Sequence, residues 1–247
     1  MTEDDDDLSF RTTEEVANRA LALIALTYRV TTDSLVRTDP DKKGRWLEIL
    51  DQLRGWVLSQ RIDAHLTPAE RAAMAQPLGE IDEDTLFGLS WRLQALVAIL
   101  WALHKIDPMP TYAESYSADA LHPLMPFGRP VSEFLANVQL RTEEELVAER
   151  HRAEFWDWRG QTDMLRREGG KPPRGKTFET MISDAAQTAL EDQVITELRD
   201  GDVICNGVLY RALSQEAFAD AAWTAQERHL ALNWICGCVD DWDETPT

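Results

Sequence analysis

From Leu86 to Leu103 apolar side chains fall on nearly every side of a helix, and such a helix is stable in water only when other elements surround it. Asp82 can cap it, and the pattern carries on to about Lys105. Ser90, Arg92 and Gln94 interrupt the stretch and leave a clean apolar run too short to cross a bilayer. The expectation is therefore a central helix of a soluble fold, and the rest of the chain has to supply its cover.

The covering elements are marked by their starts. Thr12 with Glu15, and Thr142 with Glu145, have the capping-box spacing, while Thr67-Pro68-Ala69-Glu70 adds proline at the first helical position. With the apolar period, these signals predict helices near 13–30, 44–60, 68–76, 142–167 and 178–190. Ser214 can cap a last helix reaching about Cys236, with Gly237 as its stop. Residues 106–128, with Pro108, Pro110, Pro123 and Pro126, hold no period, yet Tyr112, Tyr116, Leu121, Leu124 and Phe127 make them an ordered crossing loop. The period changes once, where Asn206-Gly207 separates Val203-Ile204-Cys205 from Val208-Leu209-Tyr210 in the pattern of a type I′ hairpin. The expected class is mainly α: a single globular helical domain over 12–247 with one short β-hairpin near 202–210, preceded by an acidic disordered tail over 1–11.

The chain has 25 Lys+Arg against 44 Asp+Glu, a formal charge of −19, with clusters at Glu3 to Asp7 and at Asp240, Asp241, Asp243 and Glu244. Such an excess repels a phosphate backbone, which argues against a dedicated nucleic-acid binder. It favours a basic protein partner, unless the charge serves solubility alone. Met1 is followed by Thr-Glu-Asp rather than by a secretory signal, and three cysteines, Cys205, Cys236 and Cys238, make no disulfide framework. A cytoplasmic protein with reduced thiols and no membrane association is expected; the oligomeric state is not legible.

Chemical motifs are sparse. Gly170-Lys171-Pro172-Pro173-Arg174-Gly175-Lys176-Thr177 satisfies the P-loop pattern letter for letter, but Pro172 and Pro173 lack the N–H groups that cradle phosphate, and a helix end precedes the motif where a strand is needed. An exposed basic connector over 166–176 is the simpler reading. The histidines His65, His104, His122, His151 and His229 form none of the familiar metal spacings, and His151 with Glu154 is read as a surface pair. Neither metal nor cofactor is expected. His229 shares a helical stripe with Phe218, Ala222, Ala225, Leu232 and Cys236, which fits a hydrogen-bonded core histidine better than a catalytic one.

Ser90-Trp91-Arg92, Ala95-Leu96 and Leu100-Trp101-Ala102-Leu103 resemble the central helix of an uncharacterised family, domain of unknown function 4272. The run Glu227-Arg228-His229-Leu230-Ala231-Leu232-Asn233-Trp234, with Asp240-Asp241-Trp242-Asp243, is similar to its closing signature, and Arg19-Ala20-Leu21-Ala22-Leu23 to its opening helix. The resemblance implies no activity.

Thr85, Gly88, Arg92, Ala95, Ile99 and Ala102 make a stripe of mostly small side chains with one guanidinium at its middle, where a second helix can pack close. A buried charge there needs a partner, so Arg92 is expected to pair with Glu227, Asp241 or Asp243, with Asn233 filling remaining bonds and Trp91, Trp234 and Trp242 packed around. Arg92, Glu227, Arg228, His229, Asn233, Asp241 and Asp243 are the candidate polar cluster. Two functional classes stay open: a non-catalytic acidic binding protein of the inhibitor or immunity type, which is favoured, and an enzyme whose pocket lies around Arg92 and the Glu227-Arg228-His229 helix. For the glycine-rich motif the expectation is negative: calorimetric titration with ATP or GTP should show no saturable binding, and Lys176→Ala should change neither stability nor function. Micromolar affinity lost in that variant would restore the P-loop reading.

Overall fold

The structure, a computed structural model, describes residues 8–243. Among these, nine α-helices are α1 (Thr13–Thr38), α2 (Lys43–Ser59), α3 (Pro68–Ala75), α4 (Glu83–Ala102), α5 (Ala118–Leu121), α6 (Ser132–Leu135), α7 (Glu143–Arg167), α8 (Phe178–Glu191) and α9 (Gln215–Ile235). Three short strands, β1 (Leu198–Arg199), β2 (Asp202–Cys205) and β3 (Val208–Leu209), form an antiparallel sheet between α8 and α9 in sequence. The class is mainly α with a small β element.

Four long helices pack in the order α1, α4, α9, α7. α2 and α3 cover the outside of α1, while α8 and the sheet lie beyond α7. The capping boxes at Thr12, Thr67 and Thr142 all form, each hydroxyl accepting from the backbone N–H of the glutamate three residues on. A main core fills the space among α1, α2, α4 and α9, and a second cluster around Tyr210, Val203 and Phe218 lies beneath the sheet.

Several expectations need correction. α1 runs to Thr38 rather than 30, because Arg29, Thr32 and Asp33 are buried polar members of its inward face and break the apolar period there. α4 is surrounded only along its second half: Gln94 to Leu103 are buried, whereas Glu83 to Ser90 lie largely at the surface. At 20 residues it is also long and apolar enough to cross a membrane, so its length does not separate the cases; half of its most apolar window is buried inside the fold. The expected acidic tail over 1–11 does not include residues 8–11 as a tail. Leu8 and Phe10 pack on the core, and the Arg11 N–H donates to the Ile235 carbonyl at 2.9 Å. Gly237 makes this possible: at φ +76° it ends α9, and a Cβ there would strike the Ser9 backbone. Residues 1–7 of that expected tail lie outside the described residues.

The hairpin forms where expected, with Asn206 and Gly207 at φ +50° and +80° and Cys205 paired to Val208. A second hairpin, between β1 and β2, turns on Asp200-Gly201 with φ +48° and +73°. Asp-Gly is the same signal as Asn-Gly, but only two residues of β1 pair, too few to show alternation.

Buried charge binds the layers together. Arg29 and Asp33 are fully buried and 2.7 Å apart within α1, and Arg19 reaches Glu70 of α3. Arg159 of α7 makes a two-pronged bond to Asp202 of β2, both contacts 2.9 Å, and Asp202 also accepts from the N–H groups of Val203 and Arg211. Removing one member of such a set strands the others in a dry site. Asp202→Ala should cost about 3–5 kcal/mol in urea denaturation, because Arg159 is left with only Asp163 at 3.5 Å; a loss under about 1 kcal/mol would mean that water reaches the guanidinium.

Candidate functional site

Consecutive helical residues point about 100° apart, so Glu227, Arg228 and His229 on α9 face three different neighbours. Glu227 meets α4, where Arg92 Nη1 donates to its Oε2 at 3.3 Å. Arg228, fully buried, donates to the carbonyls of Pro110 and Thr111 at 2.7 and 2.9 Å and to Gln94 Oε1 at 3.1 Å. His229 faces α7: its Nδ1 is 2.8 Å from Asp157 Oδ2, and its Nε2 is 2.9 Å from Asn233 Nδ2. The candidate cluster therefore does not converge on one pocket.

Arg92 takes one of the three acids expected of it. The guanidinium carbon lies 5.9 Å from the Trp242 ring, which also stacks under Arg19 at 4.1 Å and meets Trp234 edge-on at 5.5 Å. Trp91 does not join them; it lies against Trp223 of α9 on another side of α4, with ring centroids 6.1 Å apart. The Asp243 N–H donates to Asp241 Oδ1. Burial raises the carboxyl pKa of Glu227, and the Arg92 charge opposes that shift.

His229 lines a cleft of about 400 Å³ with Arg150, Asp157, Gln161, Asn233 and Cys238. Both ring nitrogens are engaged, and Gln161 also donates to Asp157 Oδ2, so neither nitrogen is open to take a proton from Cys238. The histidine bolts α9 to α7. Cys205 is equally unsuited to nucleophilic work, its thiol pushed up to about 11 by burial.

Sequence reasoning missed a further polar site. Tyr112, Glu149, Arg152, Trp156, Val194 and Val203 line a pocket of about 270 Å³ between the crossing loop, α7 and the sheet. Tyr112 donates to Glu149 Oε1 at 2.8 Å, Arg152 to Oε2 at 2.5 Å, and the Tyr112 and Trp156 rings stack 6.0 Å apart. Burial raises the pKa of Glu149 and that of the Tyr112 hydroxyl. The signal was present: Glu149, Asp157 and Asp163 fall on the same α7 stripe as Leu146, Ala153 and Gly160, and an acid on a core stripe needs a buried partner.

The glycine-rich motif follows α7 rather than a strand, and the Lys176 N–H turns inward to the Pro173 carbonyl at 3.1 Å. The connector reading is corrected at its start: Arg166 and Arg167 grip buried Asp163 at 2.9 and 2.5 Å, while Lys171, Arg174 and Lys176 are exposed. Among the described residues no group of three or more His, Cys, Asp or Glu side chains is placed to hold a metal ion. The family described as "Domain of unknown function (DUF4272)" matches residues 1–173. No curated protein and no solved structure matches the chain.

The Arg92 pair carries a pH-dependent prediction. Because the folded pKa of Glu227 lies above its ordinary value, ionising it costs stability as pH rises through the carboxylate range, and Arg92 offsets that cost. Arg92→Ala should lose about 2 kcal/mol near neutral pH, less than a sealed pair because Arg92 is 23% exposed, and much less near pH ~3, below the ordinary carboxylate range, where Glu227 carries its proton. Equal losses at both pH values in urea titrations would show that Arg92 acts through its packing on Trp242 instead.

Proposed function

The chain belongs to the DUF4272 family, and from that premise, which supplies no chemistry, we propose that it is a non-catalytic acidic binding protein, of the inhibitor or immunity type, for a basic protein partner. One observation carries the reading. Among the described residues the interior takes in carboxylates and guanidiniums in similar numbers, Asp33, Glu70, Glu149, Asp157, Asp163, Asp202 and Glu227 against Arg19, Arg29, Arg141, Arg159 and Arg228. Among the described residues folding therefore leaves most of the acidic excess at the surface, where it acts on whatever approaches. The polar groups of α4, α7 and α9 are meanwhile spent on one another, which suits a scaffold better than a reaction centre.

The enzyme alternative draws its support from elsewhere than the Arg92 region. Glu149, held above its ordinary pKa beside Tyr112 and Arg152 in a pocket, has the character of a general acid or base. On that reading Glu149→Gln abolishes a turnover and leaves partner capture intact.

Affinity capture from the native host, followed by mass spectrometry, tests the leading reading. The expected partner has a basic isoelectric point, and its association rate should fall about tenfold or more between low and high salt as the carboxylates are screened. A partner that is neutral or acidic, or an on-rate indifferent to salt, overturns the proposal.

A further inference from the structure

α4 leaves its first half uncovered, and beside polar residues it shows an aromatic ring and a bare glycine there. Phe87 is 53% exposed, Gly88 is exposed, and Trp91 is half-buried one turn on. Trp223 of α9 completes the surface: its ring stacks on Trp91 and meets Phe87 edge-on at 5.7 Å. The small-residue stripe explains the shape. Its second half, Ala95, Ile99 and Ala102, is fully buried in the fold, whereas Thr85 and Gly88 continue the same line into the open. A Cβ on Gly88 would meet nothing within 4 Å, so the backbone lies bare beside the rings.

The charge that α4 and α9 bring beside the rings is acidic, and Arg37 of α1, which acts on Asp82, is committed to Asp33 and the Ile81 carbonyl. Asp82, Glu83 and Asp84 lie at the start of α4 and are exposed; Asp220 is one turn before Trp223 on α9. The basic residues of these two helices are Arg92, paired with Glu227, and Arg228, fully buried. Aromatic anchors beside a low, open backbone and rimmed by carboxylates fit one kind of occupant, an amphipathic helix with an apolar stripe and flanking Lys or Arg. An anionic surface is repelled by the rim, and a second copy would set two carboxylate rims against each other.

We infer that the Phe87, Gly88, Trp91 and Trp223 face is the docking surface for a basic amphipathic helix of a protein partner. The inference rests on the acidic-binder reading and adds where and how the partner sits. The aromatic rings supply the buried anchors, Gly88 admits the partner backbone, and the acidic rim sets orientation.

The test uses the full chain and two synthetic peptides of identical Lys, Leu and Ala composition, one with a helical apolar stripe and one scrambled. Binding is read by calorimetry and by tryptophan fluorescence. The striped peptide should bind at least about tenfold more tightly than the scrambled one and blue-shift the emission. Gly88→Gln projects into open space and replaces a poor helix former, so it should melt no lower than the parent while weakening the striped peptide about tenfold or more. Trp223→Ser should weaken it likewise. Equal affinity for the two peptides, or binding untouched by Gly88→Gln, overturns the docking face. A dimer in sedimentation that Gly88→Gln abolishes assigns the face to a second copy and also overturns it. Capture of a basic host protein by the Gly88→Gln variant as strongly as by the parent removes this surface and leaves the acidic-binder reading standing; a captured partner without basic character removes that reading itself.

Discussion

Arg228 is the interaction on which the arrangement of the middle of the molecule depends. It is fully buried, and its hydrogen bonds go to the carbonyls of Pro110 and Thr111 and to the Gln94 side chain rather than to a carboxylate. A guanidinium can be held in this way because its fixed fork spreads one charge over several neutral acceptors. Burial lowers its pKa, with Tyr112 and Glu149 supporting the charged form. Gln94 works from both ends, since its amide also pairs with the Tyr116 backbone in both directions. One charge thus ties α9 to α4 and fastens the crossing loop over both. Without it the loop would have to find partners for two buried carbonyls, and the Tyr112–Glu149 pocket would lose its outer wall.

The same economy recurs around the fold. Arg19 joins α1 to α3, Arg159 joins α7 to β2, and Arg141 joins the start of α7 to the end of α4 by donating to the Trp101 carbonyl at 2.9 Å. Several of these guanidiniums also lie over aromatic rings: Arg159 over Tyr210 at 4.4 Å, Arg141 over Trp101 at 4.5 Å, Arg19 over Trp242 at 4.1 Å. Ring faces accept positive charge without needing hydrogen bonds, which eases the burial of arginine in an interior rich in tryptophan. The consequence for function is indirect. Among the described residues the buried guanidiniums are matched in number by buried carboxylates, so these joints leave the acidic character of the exposed surface little changed.

α4 shows how one helix can serve two purposes. From Gln94 onward it is core, held between α1 and α9; before that it carries aromatic residues to the surface beside Trp223. The change falls at Arg92, whose bond to Glu227 closes the polar boundary between the two halves. Trp242 folds back over that boundary and is buried there, while Asp240, Asp241 and Asp243 beside it stay exposed.

The sequence by itself determined where the helices begin and which faces turn inward. Caps and turns are local chemistry: a threonine hydroxyl reaches the N–H three residues on, and Asn-Gly takes positive φ, whatever the rest of the chain does. The pairing of Arg92 with an acid of the last helix was legible too, because a guanidinium on an otherwise apolar helix has few stable options. Tertiary structure decided the rest. It set the reach of α1, where a buried Arg29–Asp33 pair stands in for apolar residues and hides the period. It sent Glu227 and Arg228 toward α4 and the crossing loop and His229 toward α7, because the rotation between successive helical residues matters only once different elements surround the helix. It brought Tyr112, Glu149 and Trp156 together from a loop and a helix whose spacing in the chain carries no chemical signal. It also left Phe87 and Trp91 in the open, since a hydrophobic period records which residues favour burial and not whether the fold has anything to place over them.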